Sequence, residues 1–143
     1  MGFGYSQILP ILTQLWYSSS KYDRNRRTYL SSKIEKIIVI EQPELHLHPE
    51  FQAKFTDMLT KVIENAKIHR ITLKIIIETH SDVIINRLGD SILENDIKAD
   101  DINIVIFDKF SENEPTSISF AKYDENSNLI DWPLGFFQPS VRN

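Results

Sequence analysis

Two runs of β-branched residues constrain this chain more than anything else in it. The first is "IIVIEQPE", residues 37–44, and the second is "IIIETHSD", residues 75–82. Neither alternates apolar with polar residues. Each is therefore expected to be a strand covered on both faces, as in a parallel sheet with helices on each side. Both stop abruptly in polar clusters: Glu41 and Gln42 after the first strand, Glu78, Thr79 and His80 after the second.

The segment between the two runs reads as a crossover helix. Phe51, Phe55, Met58, Leu59, Val62, Ile63 and Ala66 recur at three- and four-residue steps, and Pro49 suits the first helical position. A further helix is expected after "THSD", with Val83, Ile84, Leu88 and Ile92 on its apolar side. Strand, helix, strand, helix argues for a parallel α/β sheet. Upstream, "GFGYSQ" (residues 2–7) reads as a glycine loop, followed by a helix in which Ile8, Ile11, Leu12, Leu15 and Trp16 share a face. Pro10 is then expected in that helix's first turn, where a missing N–H matters little. Residues 18–33 read as a polar loop with Lys21, Arg24, Arg26 and Arg27 crowded together.

The tail has a different character. "INIVIFDKF" and "TSISFAKYD" are β-type runs separated by "SENEP", which predicts a hairpin. After them, Trp132, Phe136 and Phe137 stand among turn formers, as in an ordered loop docked by its aromatics. The expected organisation is an α/β domain over residues 1–100 and a small hairpin and aromatic-loop domain over 101–143.

Composition narrows the functional classes. A chain of 143 residues can bury one real core. The net charge of −4 gives no general attraction to nucleic acid or anionic membrane. There is no cysteine, hence no disulfide frame and no thiolate metal site. No apolar run approaches the roughly 20 residues that span a bilayer, and no signal-like segment opens the chain. The expectation is a cytoplasmic protein without membrane contact.

The polar strand ends carry the chemistry. Ligands of parallel sheets bind at the carboxyl ends of strands, and two such ends converge if the strands are neighbours. Charged groups seldom sit at buried strand ends without a partner. Mg²⁺ takes one or two carboxylates together with phosphate and water oxygens, so Glu41 beside a bound phosphate fits a Mg–nucleotide site. A second possibility is zinc held by Glu41, His46, His48 and His80, the basis of a metal-dependent hydrolase reading. A plainer alternative for His48 is that it caps the helix that follows.

The motifs resemble a known family. "IIVIEQPELHLHP" looks like the Walker B segment of ABC-type AAA ATPases of the OLD-like and RecF-like group. "IIIETHSD" is similar to their switch-histidine strand, and "GFGYSQILPIL" to their signature loop. "EQPELHLHP" with a later "DWPLGFF" resembles a bacterial group of these ATPases with a C-terminal domain of unknown function. The resemblance implies a partial P-loop NTPase fold, an ABC-ATPase-like parallel sheet flanked by helices with a C-terminal β-hairpin. It implies ATP and Mg²⁺ as cofactors. Glu41 then matches the residue that holds the metal, Gln42 stands where most of the superfamily has its catalytic glutamate, and His80 acts near the γ-phosphate, with Asp82 following it. Gly2, Gly4, Ser6 and Gln7 match the signature loop that contacts the nucleotide of a second subunit. The implied setting is DNA maintenance or phage defence, with a homodimer and a DNA or effector-protein partner.

Two departures shape the expectation. A P-loop reads G-x-x-x-x-G-K-[ST], and none of the glycines at 2, 4, 89 and 135 is followed by lysine. The chain therefore lacks a Walker A motif. It is expected to be inactive alone, as the C-terminal part of an ATPase that needs a separate Walker A lobe or a second subunit. The alternative is a non-enzymatic fragment or interaction module. The other departure is Gln42, whose amide can orient a water, as a glutamine does in Ras-like GTPases, but cannot take its proton. Glu44 is then a candidate substitute base.

Overall fold

The computed structural model describes residues 3–20, 34–109, 111 and 114–133. Gly2, the basic cluster Lys21, Arg24, Arg26 and Arg27, and the aromatics Phe136 and Phe137 lie outside these residues. The chain divides into two compact units, Met1–Ile84 and Ile85–Asn143.

In the first unit, β1 (Ile34–Glu41) and β2 (Ile71–Glu78) pair in parallel, in register from Ile34↔Ile71 to Glu41↔Glu78. They are joined by α2 (Pro49–Ile68), which packs on β2, and α1 (Phe3–Ser19) packs on α2 and on both strands. This is the expected parallel sheet with a helical crossover. The core is Leu15 from α1, Ile40 and Ile71 from the strands, and Phe55, Leu59, Val62 and Ala66 from α2. The α2 residues are the stripe that its periodicity predicts. Buried hydroxyls of α2 are satisfied locally, Thr56 donating to the Gln52 carbonyl and Thr60 to that of Asp57. Asn65 ties α2 to the end of α1 by donating to the carbonyl and the hydroxyl of Ser19. Lys36 donates from β1 to the Ser18 carbonyl at 2.9 Å, a cation at the negative end of a helix.

Three expectations are corrected here. First, α1 begins at Phe3, so the predicted glycine loop is already helix and Pro10 lies inside it. Pro10 has no N–H to give to the carbonyl one turn earlier, and tertiary packing of α1 outweighs that loss. Trp16, expected on the packed face, is 66 % exposed. Second, the described residues cover only one face of the two-stranded sheet. Burial alternates along β1, and Ile37, Val39 and Ile76 remain 61 %, 64 % and 56 % exposed. Both helices that pack on these strands do so from the side of Lys36, Ile38 and Ile40. An unbroken apolar run shows that both faces are made to be covered, without saying by which polypeptide.

Third, the tail holds one more strand than expected. In the second unit, β3 (Ile104–Asp108) and β4 (Ser117–Tyr123) form the predicted antiparallel hairpin, and β5 (Leu129–Ile130) adds to the other edge of β4. Ile106, Ala121 and Tyr123 are buried on one face of this sheet. Its other face presents Val105, Phe107, Ile118, Phe120 and Ile130 to solvent. The helix α3 (Asp82–Leu93) contains the boundary between the units. Within the second unit α3 accepts from β4 and from the turn after it: Tyr123 donates to the Ile85 carbonyl at 2.6 Å, and the Ser127 hydroxyl to that of Gly89.

Candidate functional site at the strand ends

The polar ends of β1 and β2 are held together in the first unit. The in-register pairing puts Glu41 beside Glu78, both exposed on the uncovered face of the sheet. The ladder runs one residue further, with the Gln42 N–H donating to the Glu78 carbonyl at 2.8 Å. Gln42 then turns the chain with φ of +43°, in the left-handed region that suits glycine. His46 does the same at +61°. The turn between them is closed by Leu45 N–H to the Gln42 carbonyl, at 3.3 Å, and Leu47 N–H to the Glu44 carbonyl, at 3.0 Å. Non-glycine residues in this conformation cluster where surrounding structure over-determines them, often at functional sites.

α1 comes down on this turn at Gly4. A Cβ at that position would lie 2.7 Å from the His46 carbonyl oxygen and 3.0 Å from Leu47 Cδ2. The glycine is thus required for close approach, whatever its part in a signature motif. The approach opens a cleft of about 280 Å³ lined by Ser6, Gln7, Pro10 and Ile11 of α1 and by Glu41, Gln42, Pro43 and Leu45 at the end of β1. A whole drug-sized ligand fills a pocket of about 300–1,000 Å³. At about 280 Å³ the cleft lies just below that range.

The histidines separate by role. His48 Nδ1 accepts the Glu50 N–H at 3.3 Å and caps α2, with Pro49 at the first helical position. Lys54, 2.6 Å from Glu50, holds that carboxyl below its ordinary value, through a side-chain hydrogen bond first and its charge second. His80 is fixed through its backbone, whose N–H donates to Glu44 Oε1 at 2.7 Å. Among the described residues no group of three or more His, Asp or Glu is placed to hold a metal ion. Glu41, His46, His48 and His80 are accordingly not gathered into a zinc site. Mg²⁺ does not require such a group, because phosphate and water complete its shell. The oxygen donors at the strand ends, Glu41 and Glu78, fit that hard cation.

Sequence reasoning did not single out two residues that build the site. Gln52 Nε2 donates to the Leu47 carbonyl at 2.9 Å, and its Oε1 accepts the Ser81 hydroxyl at 2.5 Å. Ser81 in turn caps α3, its Oγ accepting the Ile84 N–H at 3.1 Å. Asp82 is the first residue of α3, where a carboxylate suits the positive helix end. Ser81 is legible as a capping residue before an apolar run. Nothing in the spacing marks Gln52.

A parallel strand pair joined by a helical crossover, with carboxylates at its strand ends and a second helix packed beside them, is an α/β arrangement of the class that binds ligands at strand ends. The chain belongs to the AAA ATPase domain family, whose model matches residues 1–85. It is similar to the endonuclease GajA of Bacillus cereus (strain HuB5-5), 32 % identical over an 88-residue alignment that covers 59 % of this chain and 12 % of that protein. No solved structure matches. The resemblance read from "EQPELHLHP" and "IIIETHSD" is thus borne out at the level of the AAA ATPase family. Among the described residues no helix is long and apolar enough to cross a membrane.

Proposed function

We propose that this chain supplies the metal and water side of an ATP-hydrolysing site. In this reading Glu41 anchors Mg²⁺, which would neutralise charge developing on the phosphates. Gln42 orients the attacking water, His80 lies near the γ-phosphate, and Ser6 and Gln7 offer polar groups to phosphate oxygens. The phosphate cradle comes from a separate polypeptide or lobe, since this sequence has no P-loop. The observation that carries the reading is the cleft in which Ser6 and Gln7 meet Glu41 and Gln42. The likeness to a protein named as an endonuclease supports a DNA-related setting; the further reading is of a cytoplasmic homodimer that acts with DNA or an effector protein in DNA maintenance or phage defence.

Calorimetry and turnover test it together. The chain alone should show no saturable binding of Mg-ATP at millimolar concentration. An ATPase assembled with a P-loop lobe should hydrolyse ATP and lose that activity with Glu41→Ala. A micromolar dissociation constant for the chain alone, or full turnover without Glu41, refutes the assignment. A non-enzymatic interaction module is the second reading, favoured by the exposed Ile37, Val39 and Ile76. It predicts that the assembled protein binds ATP without turning it over.

A further inference from the structure

The turn after β1 and the loop after β2 are joined by two independent side-chain ties. Glu44 Oε1 accepts the His80 N–H. Gln52 links the Leu47 carbonyl to the Ser81 hydroxyl, and Ser81 passes the connection on to the Ile84 N–H. The other oxygen of Glu44, Oε2, is buried with no hydrogen-bond partner among the described residues. A general base must present a lone pair to the water it deprotonates, at hydrogen-bonding distance. In Glu44 one oxygen is engaged by the backbone of His80 and the other is closed to solvent.

We propose that Glu44 and Gln52 are positioning residues that set the place of His80 relative to Glu41 and Gln42, Glu44 acting as a hydrogen-bond acceptor and not as a proton acceptor. The charge of Glu44 shortens and strengthens its tie to the N–H. The Gln52 tie holds the same loop one residue further on and fixes the start of α3. A loop held at two adjacent points has little freedom to carry the imidazole away. The catalytic consequence rests on the ATPase reading above, whereas the clamp is a property of this chain by itself.

Nuclear magnetic resonance of the labelled chain tests the clamp. Glu44→Ala should lower hydrogen-exchange protection of the His80 amide by about tenfold or more, the scale of one lost hydrogen bond to a charged group. It should also move the His80 imidazole resonances. Glu44→Gln keeps a carbonyl acceptor and should retain most of the protection. Gln52→Ala should expose the Ile84 amide, whose acceptor, the Ser81 hydroxyl, loses its anchor, and Gln52→Glu, which still accepts from Ser81, should protect it. Should Glu44→Ala unfold, the Glu44→Gln and Gln52 variants decide by the same readout. Unchanged His80 protection in Glu44→Ala, or unchanged Ile84 protection in Gln52→Ala, overturns the clamp.

In an assembly with a P-loop lobe, Glu44→Ala should lower kcat with KM held, and Glu44→Gln should restore it. If Glu44→Gln is as slow as Glu44→Ala while His80 stays protected, Glu44 is a base and the proposal is wrong. If the wild-type assembly does not hydrolyse ATP, the ATPase reading falls and the exchange data still judge the clamp.

Discussion

Glu41 and Glu78 stand side by side at the carboxyl ends of adjacent parallel strands, paired in register. Neighbouring strands run about 4.8 Å apart, so two like charges share one small region of surface. Without a cation they repel. Glu78→Gln should therefore stabilise the isolated chain by about 0.2–0.5 kcal/mol at low ionic strength, the usual size of a like-charge contact between neighbours. Urea unfolding at low and high salt checks this. The gain should shrink as salt screens the pair, and a destabilised variant refutes the repulsion.

Gln42 adopts φ of +43°, and a residue with a Cβ is disfavoured there by roughly 1–2 kcal/mol. Gln42→Gly relieves that strain but adds about 0.5–1 kcal/mol of backbone freedom to the unfolded chain. The net expectation is a gain of about 0.5–1 kcal/mol in stability, with slower turnover in an assembled ATPase. Gln42→Glu keeps the strain and should leave stability nearly unchanged, while turnover rises or holds. Denaturant melts and single-turnover hydrolysis of the three proteins separate these effects. A Gln42→Gly variant less stable than wild type would show the turn to be unstrained.

Gly4 gives a sign test. An exposed helical glycine is expected to gain about 1 kcal/mol on conversion to alanine. Here the new Cβ would meet the His46 carbonyl oxygen at 2.7 Å, a backbone atom that cannot swing away. Overpacking of this kind typically costs about 1–3 kcal/mol. Gly4→Ala should therefore lower Tm by several degrees, read by calorimetry. A raised Tm means that α1 does not sit on the turn.

The second unit has its own acid-sensitive point. The Asn128 N–H donates to Asp124 at 2.7 Å and closes the turn between β4 and β5. That hydrogen bond is the first cause holding the Asp124 carboxyl below its ordinary value of 3.8. Because the folded value is depressed, its stabilising effect is complete above the unfolded carboxyl value. It is lost as pH falls through the lower folded value. The Asn128 amide resonance should shift in that acidic window, and Asp124→Asn should abolish the shift. A titration midpoint above 3.8 contradicts the depressed value.

Much of this fold was legible. The strand runs, their polar ends and the Phe55–Leu59–Val62–Ala66 stripe of α2 follow from periodicity, since each reports burial by local spacing. So does the β3–β4 hairpin. The start of α1 was not legible, because Gly4 carries loop propensity and what overrides it is a contact with His46, distant in sequence. The uncovered sheet face was misread for a related reason: apolar residues on both faces state a need for cover, not its source. Two-residue β5 is too short for any period to emerge. In the site, Glu41, Gln42 and His80 stood out at strand ends. The grouping of Ser6 and Gln7 with Glu41 rested on resemblance alone. Gln52 was invisible because a glutamine on a helix looks like solvated surface until Leu47 and Ser81 are seen beside it.

The tie between Glu44 and His80 joins positions 36 residues apart. Closing a loop of that length delays any contact that depends on it. The crossover helix α2 can gather its local contacts early, whereas the strand-end chemistry exists only after β2 has docked beside β1. On a ribosome, the cleft residues emerge long before their counterparts on the second strand. Pulse-labelling during refolding should accordingly find the His80 amide among the last in this unit to become protected, in step with the β1–β2 ladder and later than the interior of α2.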